Sequence, residues 1–150
     1  MRPSEITNIL YNHHRFEECV LEDVLWRNNG TEIDLLFDYI WPDTNALYFD
    51  NGVRKIRDTE VRNDLDTPLI KTIRFKMVQE FSIHNWLNDA IIDQPNEIGW
   101  GFNEIALIEV KDDNLFLAKY PKQSVDFHHI CVFWEGDRRI DIVCNHIEVL

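Results

Sequence analysis

The chain has 150 residues and sets 15 Lys and Arg against 27 Asp and Glu, a formal net charge of −12. That length suits a single domain spanning residues 1–150, which buries about 70% of the surface of its unfolded chain and needs neither disulfide nor metal to hold together. The acidic field disfavours nucleic acid and anionic membrane surfaces as partners and favours a basic protein.

Three Cys with no paired spacing point to reduced thiols. Residues 1–5 lack the basic-then-apolar pattern of a signal peptide, and no run reaches the roughly 18 apolar residues of a spanning helix. The expected location is cytoplasmic.

Ser4 is a suitable cap for a short helix over about 4–12, with Ile6, Ile9 and Leu10 on one side. Asn29-Gly30 is a two-residue hairpin turn, because both residues tolerate positive φ. It sets Arg27 opposite Glu32. One face then carries Val20, Val24, Trp26, Ile33, Leu35, Phe37 and Tyr39, and the other interleaves Leu21, Asp23 and Leu25 with Asp34, Leu36 and Asp38. Residues 46–49 read as a short strand stopped by Asp50-Asn51-Gly52, and the charged stretch 53–67 as a loop or weak edge strand.

Residues 70–81 read as one long strand. Ser82 then caps a helix over about 82–92, with Ile83, Trp86, Leu87, Ala90 and Ile91 on the 3.6-residue period. A second hairpin joins 104–110 to 115–120. A last hairpin turning at Gly136-Asp137 sets His129 opposite Cys144. Its strands are apolar on both faces, which marks them as central and covered on both sides, by the 82–92 helix or by a second copy in a homodimer. The fold class is α+β, mostly antiparallel: a hairpin-rich sheet or partly open barrel with one or two short helices.

No phosphate-binding glycine loop, zinc-protease motif, nucleophile elbow or calcium loop is present. A Cys–His pair can make a thiolate nucleophile, but Cys144 sits among apolar neighbours, where thiols are packed and inert. His128 and His129 are adjacent on a strand and point to opposite faces, so they cannot share an ion. His14 with Glu17 or Glu18 lacks the spacing of a metal site. No catalytic residue, metal ligand or cofactor is therefore assigned. The mixed Leu and carboxylate face of the first hairpin suits an interface with a basic protein. Its candidate contacts are Glu17, Glu18, Leu21, Asp23, Asp34, Leu36 and Asp38.

The strand-to-helix stretch IRFKMVQEFS at 73–82 and the closing hairpin ICVFWEGDRRIDI at 130–142 resemble those of the small acidic bacterial immunity-type proteins encoded beside polymorphic or contact-dependent toxins. The resemblance implies a cytosolic inhibitor that binds a basic toxin domain such as a nuclease. Two other readings fit the residues: a small hydrolase with carboxylate and His chemistry, and a ligand-binding barrel with a cavity lined by Trp26, Phe37 and Phe75.

Overall fold

The Asn-Gly turn organises the first half of the chain. A computed structural model describes residues 1–41, 47–56, 66–85, 104–111, 117–120, 126–134 and 138–150. In it Asn28, Asn29 and Gly30 all take positive φ, 49°, 57° and 85°, the region that Asn and Gly tolerate best. The strands in chain order are β1 (Val20–Arg27), β2 (Glu32–Asp38), β3 (Leu47–Asp50), β4 (Val53–Ile56), β5 (Ile70–Lys76), β6 (Glu80–His84), β7 (Ile105–Val110), β8 (His128–Trp134), β9 (Arg138–Cys144) and β10 (His146–Val149). They are preceded by a helix, α1 (Pro3–Thr7), that runs on as a wider π-helical turn over Asn8–His13. Pro3 stands in the first turn and the Glu5 carboxylate accepts the Arg2 N–H at 2.6 Å. The helix thus starts ahead of Ser4, the predicted cap.

β1 and β2 pair with Arg27 opposite Glu32, as the turn dictates. That register holds to Asp23 opposite Leu36. A bulge at Glu22 then shifts it, so that Leu21 lies opposite Phe37. The extra residue turns Leu21 into the core and leaves Glu22 and Asp23 both in solvent.

Two antiparallel four-stranded sheets result, ordered β1-β2-β5-β10 and β6-β9-β8-β7, with β3 and β4 as a separate small hairpin. Asn51 and Gly52 turn that hairpin with φ of 51° and 77°. The predicted long strand over 70–81 is bent: Met77 has φ 54°, and β5 and β6 belong to different sheets. Val78 N–H donates to Thr31 O at 2.9 Å and Gln79 N–H to Val143 O at 2.8 Å. β9 and β10 bend beside it at Asn145, whose N–H donates to Lys76 O at 3.2 Å. Two chain segments thus run antiparallel through both sheets and change sheet at one corner.

One hydrophobic core lies against both sheets. Ile33, Leu35, Phe37, Ile73, Phe75 and Ile147 from the first meet Ile130, Val132, Trp134, Ile140, Ile142 and Cys144 from the second. Ile6 and Leu10 join from the N-terminal helical turns, and Phe16 and Tyr39 pack their rings edge-on, 5.6 Å apart. The architecture is the expected α+β, mostly antiparallel class, as two open sheets not closed into a barrel.

Three local expectations are corrected. Ser82 and Ile83 are not the start of a helix; they lie in β6, opposite Asp141 and Ile140 of β9, and residues 86–92 lie outside the described residues. Among the described residues β7 pairs with β8; of its predicted partner 115–120, residues 115 and 116 lie outside the described residues, and Leu117–Tyr120 is a helical turn closed by Tyr120 N–H to Leu117 O at 3.0 Å, not a strand. In the last hairpin Trp134 pairs with Arg138, so three residues, not two, separate the paired strands. His129 therefore faces Val143, and His128 faces Cys144. The expectation that β8 and β9 are central and covered on both faces holds: each has two neighbours, and Ile130, Cys131, Val132, Ile142, Val143 and Cys144 are all buried.

Candidate functional site

The first hairpin places its predicted contact residues in different environments. Leu21 is packed in the core, Asp34 is 1% exposed, and Asp38 is buried with its carboxylate accepting Leu69 N–H at 3.0 Å. These three do not stand ready for a partner. Asp34 accepts from Arg74 Nε at 2.7 Å and Nη2 at 2.9 Å, and also from Arg27. Alternation explains this: on the outer face of the first sheet, Asp34 faces Arg74, which faces Glu148, and Lys76 closes on Glu148 at 2.7 Å. Hydrogen bonds from Arg74, joined by Arg27, hold the Asp34 carboxyl below the usual carboxylate range against the opposing effect of burial. Glu17 and Leu36 are half-buried, whereas Glu18 and Asp23 are exposed.

The sequence set Trp26 on the apolar face of the first hairpin and, in the barrel reading, in a cavity wall. It is 61% exposed, on the edge strand β1, with its ring edge-on to Phe81 at 5.1 Å. Glu22 and Asp23 are exposed four and three positions earlier on the same strand, Asp23 on the opposite face, and Glu18 precedes the strand. β1 pairs with β2, and its start is tied to the approach to β7 by the Val20–Glu104 bridge and by Glu18 N–H donating to Ile105 O at 2.7 Å. Among the described residues the outer edge of β1 has no partner strand beyond that start and presents backbone groups, a bulky aromatic and, further along, carboxylates.

The second grouping escaped the sequence reading. On the face of the second sheet turned away from the main core, β8 and β9 bring His129, Cys131 and Asp141 together, all buried. His129 and Cys131 are two apart on one strand and so share a face, and Asp141 pairs with Cys131. The Asp141 carboxylate is the hub. Its Oδ1 lies 2.7 Å from His129 Nε2 and 3.1 Å from Cys131 Sγ, and its Oδ2 accepts from Arg139 Nε at 2.8 Å and lies 3.1 Å from His84 Nε2. Cys131 Sγ is 3.4 Å from His129 Nε2.

Burial would raise the Asp141 pKa, but donors from Cys131, His129 and Arg139 outweigh it and leave the carboxyl below its ordinary value. An ionised carboxylate only accepts, so the His129 ring carries a proton on Nε2. Burial, reinforced by the Asp141 hydrogen bond and charge, pushes the Cys131 thiol up to about 12. Cys131 is thus a protonated donor rather than a thiolate nucleophile in this arrangement. His128 is on the opposite face with Nε2 at 2.7 Å from Met1 O, and burial pushes the Cys19 thiol up to about 12.

A cleft of about 500 Å³ opens between the N-terminal helical turns and β7, with Leu10, Tyr11, Ile108 and Lys111 in its walls. It is not the cavity expected between Trp26, Phe37 and Phe75: Phe37 and Phe75 are fully packed and Trp26 faces solvent.

No protein-family model and no curated protein matches the chain. A solved structure, described as an uncharacterized protein from Neisseria gonorrhoeae, is similar at 17% identity over 90% of this chain and 92% of that one, with a TM-score of 0.48. Among the described residues no helix is long and apolar enough to cross a membrane.

Proposed function

We propose that the protein is a binding protein of the immunity type, which neutralises a basic toxin domain by docking it on the β1 edge. The observation that carries this reading is the 61%-exposed Trp26 on an edge strand that also displays Glu22 and Asp23. Trp is the side chain most enriched among interface anchors, because it buries a large rigid surface at small entropic cost. Carboxylates exposed on the same strand select a basic partner and speed its approach. The net charge of −12 extends that steering over the whole molecule. The β1 edge, unpaired by a further strand among the described residues, offers a further mode, pairing with an extended segment of the partner. Glu18, Glu22, Asp23 and Trp26 are the contact residues of this reading, with Glu17 and Leu36 at its margin.

The test is co-purification from the native host at low and high salt, followed by reconstitution of the pure pair. A basic polypeptide that survives high salt, binds the pure protein and loses its toxic activity on binding is the expected result. Screening weakens a charge-only encounter but spares a desolvated anchor. Failure to retain any such polypeptide at either salt would remove the reading.

A further inference from the structure

The cluster around Asp141 is built from four different side chains on three neighbouring strands. We propose that His129 Nε2, Cys131 Sγ and Asp141 Oδ1 form a site for one zinc-class divalent cation, with the fourth position left to water and His84, whose Nε2 lies 3.1 Å from Asp141 Oδ2, as an outer partner of the carboxylate. Tetrahedral zinc with imidazole, thiolate and carboxylate ligands at about 2.0–2.3 Å separates its donor atoms by about 3.3–3.7 Å. The separations here are 2.7, 3.1 and 3.4 Å. Small side-chain rotations open these hydrogen-bonded contacts to ligand spacing, with no strand displaced. The donor set of imidazole, thiolate and carboxylate suits a borderline-soft ion such as Zn²⁺ or Co²⁺ and not Mg²⁺ or Ca²⁺, which prefer all-oxygen sites.

The surroundings have the form of a supporting layer. Arg139 Nε holds Asp141 Oδ2 at 2.8 Å, which leaves Oδ1 turned toward His129 and Cys131. Ligating carboxylates are held by such bonds. His84 is 40% exposed and gives the ion a route in from solvent. Charge balances: one thiolate and one carboxylate neutralise a divalent ion, so the Arg139 cation adjoins a neutral centre. Binding releases one proton, from Cys131. The His129 proton moves from Nε2 to Nδ1, which frees Nε2 to ligate. The site lies on the second sheet and is independent of docking at β1.

Untagged, chelator-stripped protein titrated with Co²⁺ is the direct test. The expected result is one Co²⁺ per chain, visible bands of four-coordinate cobalt and a near-ultraviolet thiolate-to-cobalt band, all displaced by Zn²⁺. Cys131→Ser abolishes the thiolate band. His84→Gln, which alters only a half-exposed side chain beside the Asp141 carboxylate, weakens binding by the roughly tenfold that loss of an outer-shell partner costs, with an unchanged circular-dichroism spectrum. Should Cys131→Ser fail to fold, the wild-type spectrum and His84→Gln still decide. No thiolate band in the wild-type protein overturns the site and leaves Asp141 as a hydrogen-bonded hub. Cobalt binding untouched by both substitutions places the ion elsewhere and overturns it equally.

Discussion

Asp34 carries two guanidinium groups on a carboxylate that solvent does not reach. Asp34→Asn leaves Arg74 without its strongest acceptor and costs about 2 kcal/mol, since Arg74 and Arg27 retain some access to water; urea unfolding at pH 7 reads this. The folded carboxyl is held below its unfolded value, so its contribution is complete above the unfolded pKa and is lost as pH falls through the folded one. Asp34→Asn removes that part of the acid sensitivity. His14 acts in the same pH direction for the opposite chemical reason. Burial, with the Lys71 and His13 charges, lowers its pKa from 6.5 to about 4. The unfolded chain binds this proton first, so stability is full above pH 6.5, declines on acidification and levels off below about 4. His14→Gln flattens that slope, and unfolding midpoints collected at pH 7, 5.5 and 4.5 check it. An unchanged slope contradicts this role. At this scale the sequence showed which residues are acidic, but not that Asp34 and Asp38 have internal partners, because Arg74 and Leu69 come from a distant strand and its approach.

Element boundaries depend on a few backbone positions. Met77 has φ 54° and is 46% exposed, at the corner where one chain segment changes sheet. Met77→Gly is therefore neutral to about 1 kcal/mol stabilising, whereas Met77→Val costs about 1 kcal/mol or more, because a β-branched side chain tolerates positive φ worst. Denaturant midpoints that reverse this order would contradict the corner. The first hairpin was legible because Asn-Gly turn chemistry and hydrophobic alternation give the same register. The bulge at Glu22 was not, since it depends on Leu21 reaching the core across from Phe37. The last hairpin was read one residue out of register, and that slip hid the candidate metal centre. It set His129 against Cys144, when the true pairing sets Cys131 against Asp141. The spacing His129-x-Cys131 was visible in the sequence; its third member needed the register. The 82–92 helix failed at its start because β9 offers Ser82–His84 a ladder that local helical periodicity cannot match.

Both sheets contribute to one core and share the bent segments β5–β6 and β9–β10, so neither has an independent reason to stay folded. Amide exchange of the central strands β2 and β8 therefore follows one global unfolding free energy, while the edge strand β1 opens more easily. Distinct free energies for β2 and β8 would mean that the sheets fold separately. In the proposed reading the charge of −12 acts at the same scale, steering a basic partner, while Trp26 supplies the local anchor. The measurement that tests this account most directly is a titration of the pure captured partner against wild-type protein, Trp26→Ala and a Glu22→Lys/Asp23→Lys double variant, at two salt concentrations. Trp26→Ala is expected to fold normally and to lose about 2 kcal/mol of binding, roughly thirtyfold, at both salts. The charge-reversed variant is expected to lose mainly association rate, and most at low salt. Wild-type affinity in both variants would contradict the account, because the partner would then be held by another face of the molecule.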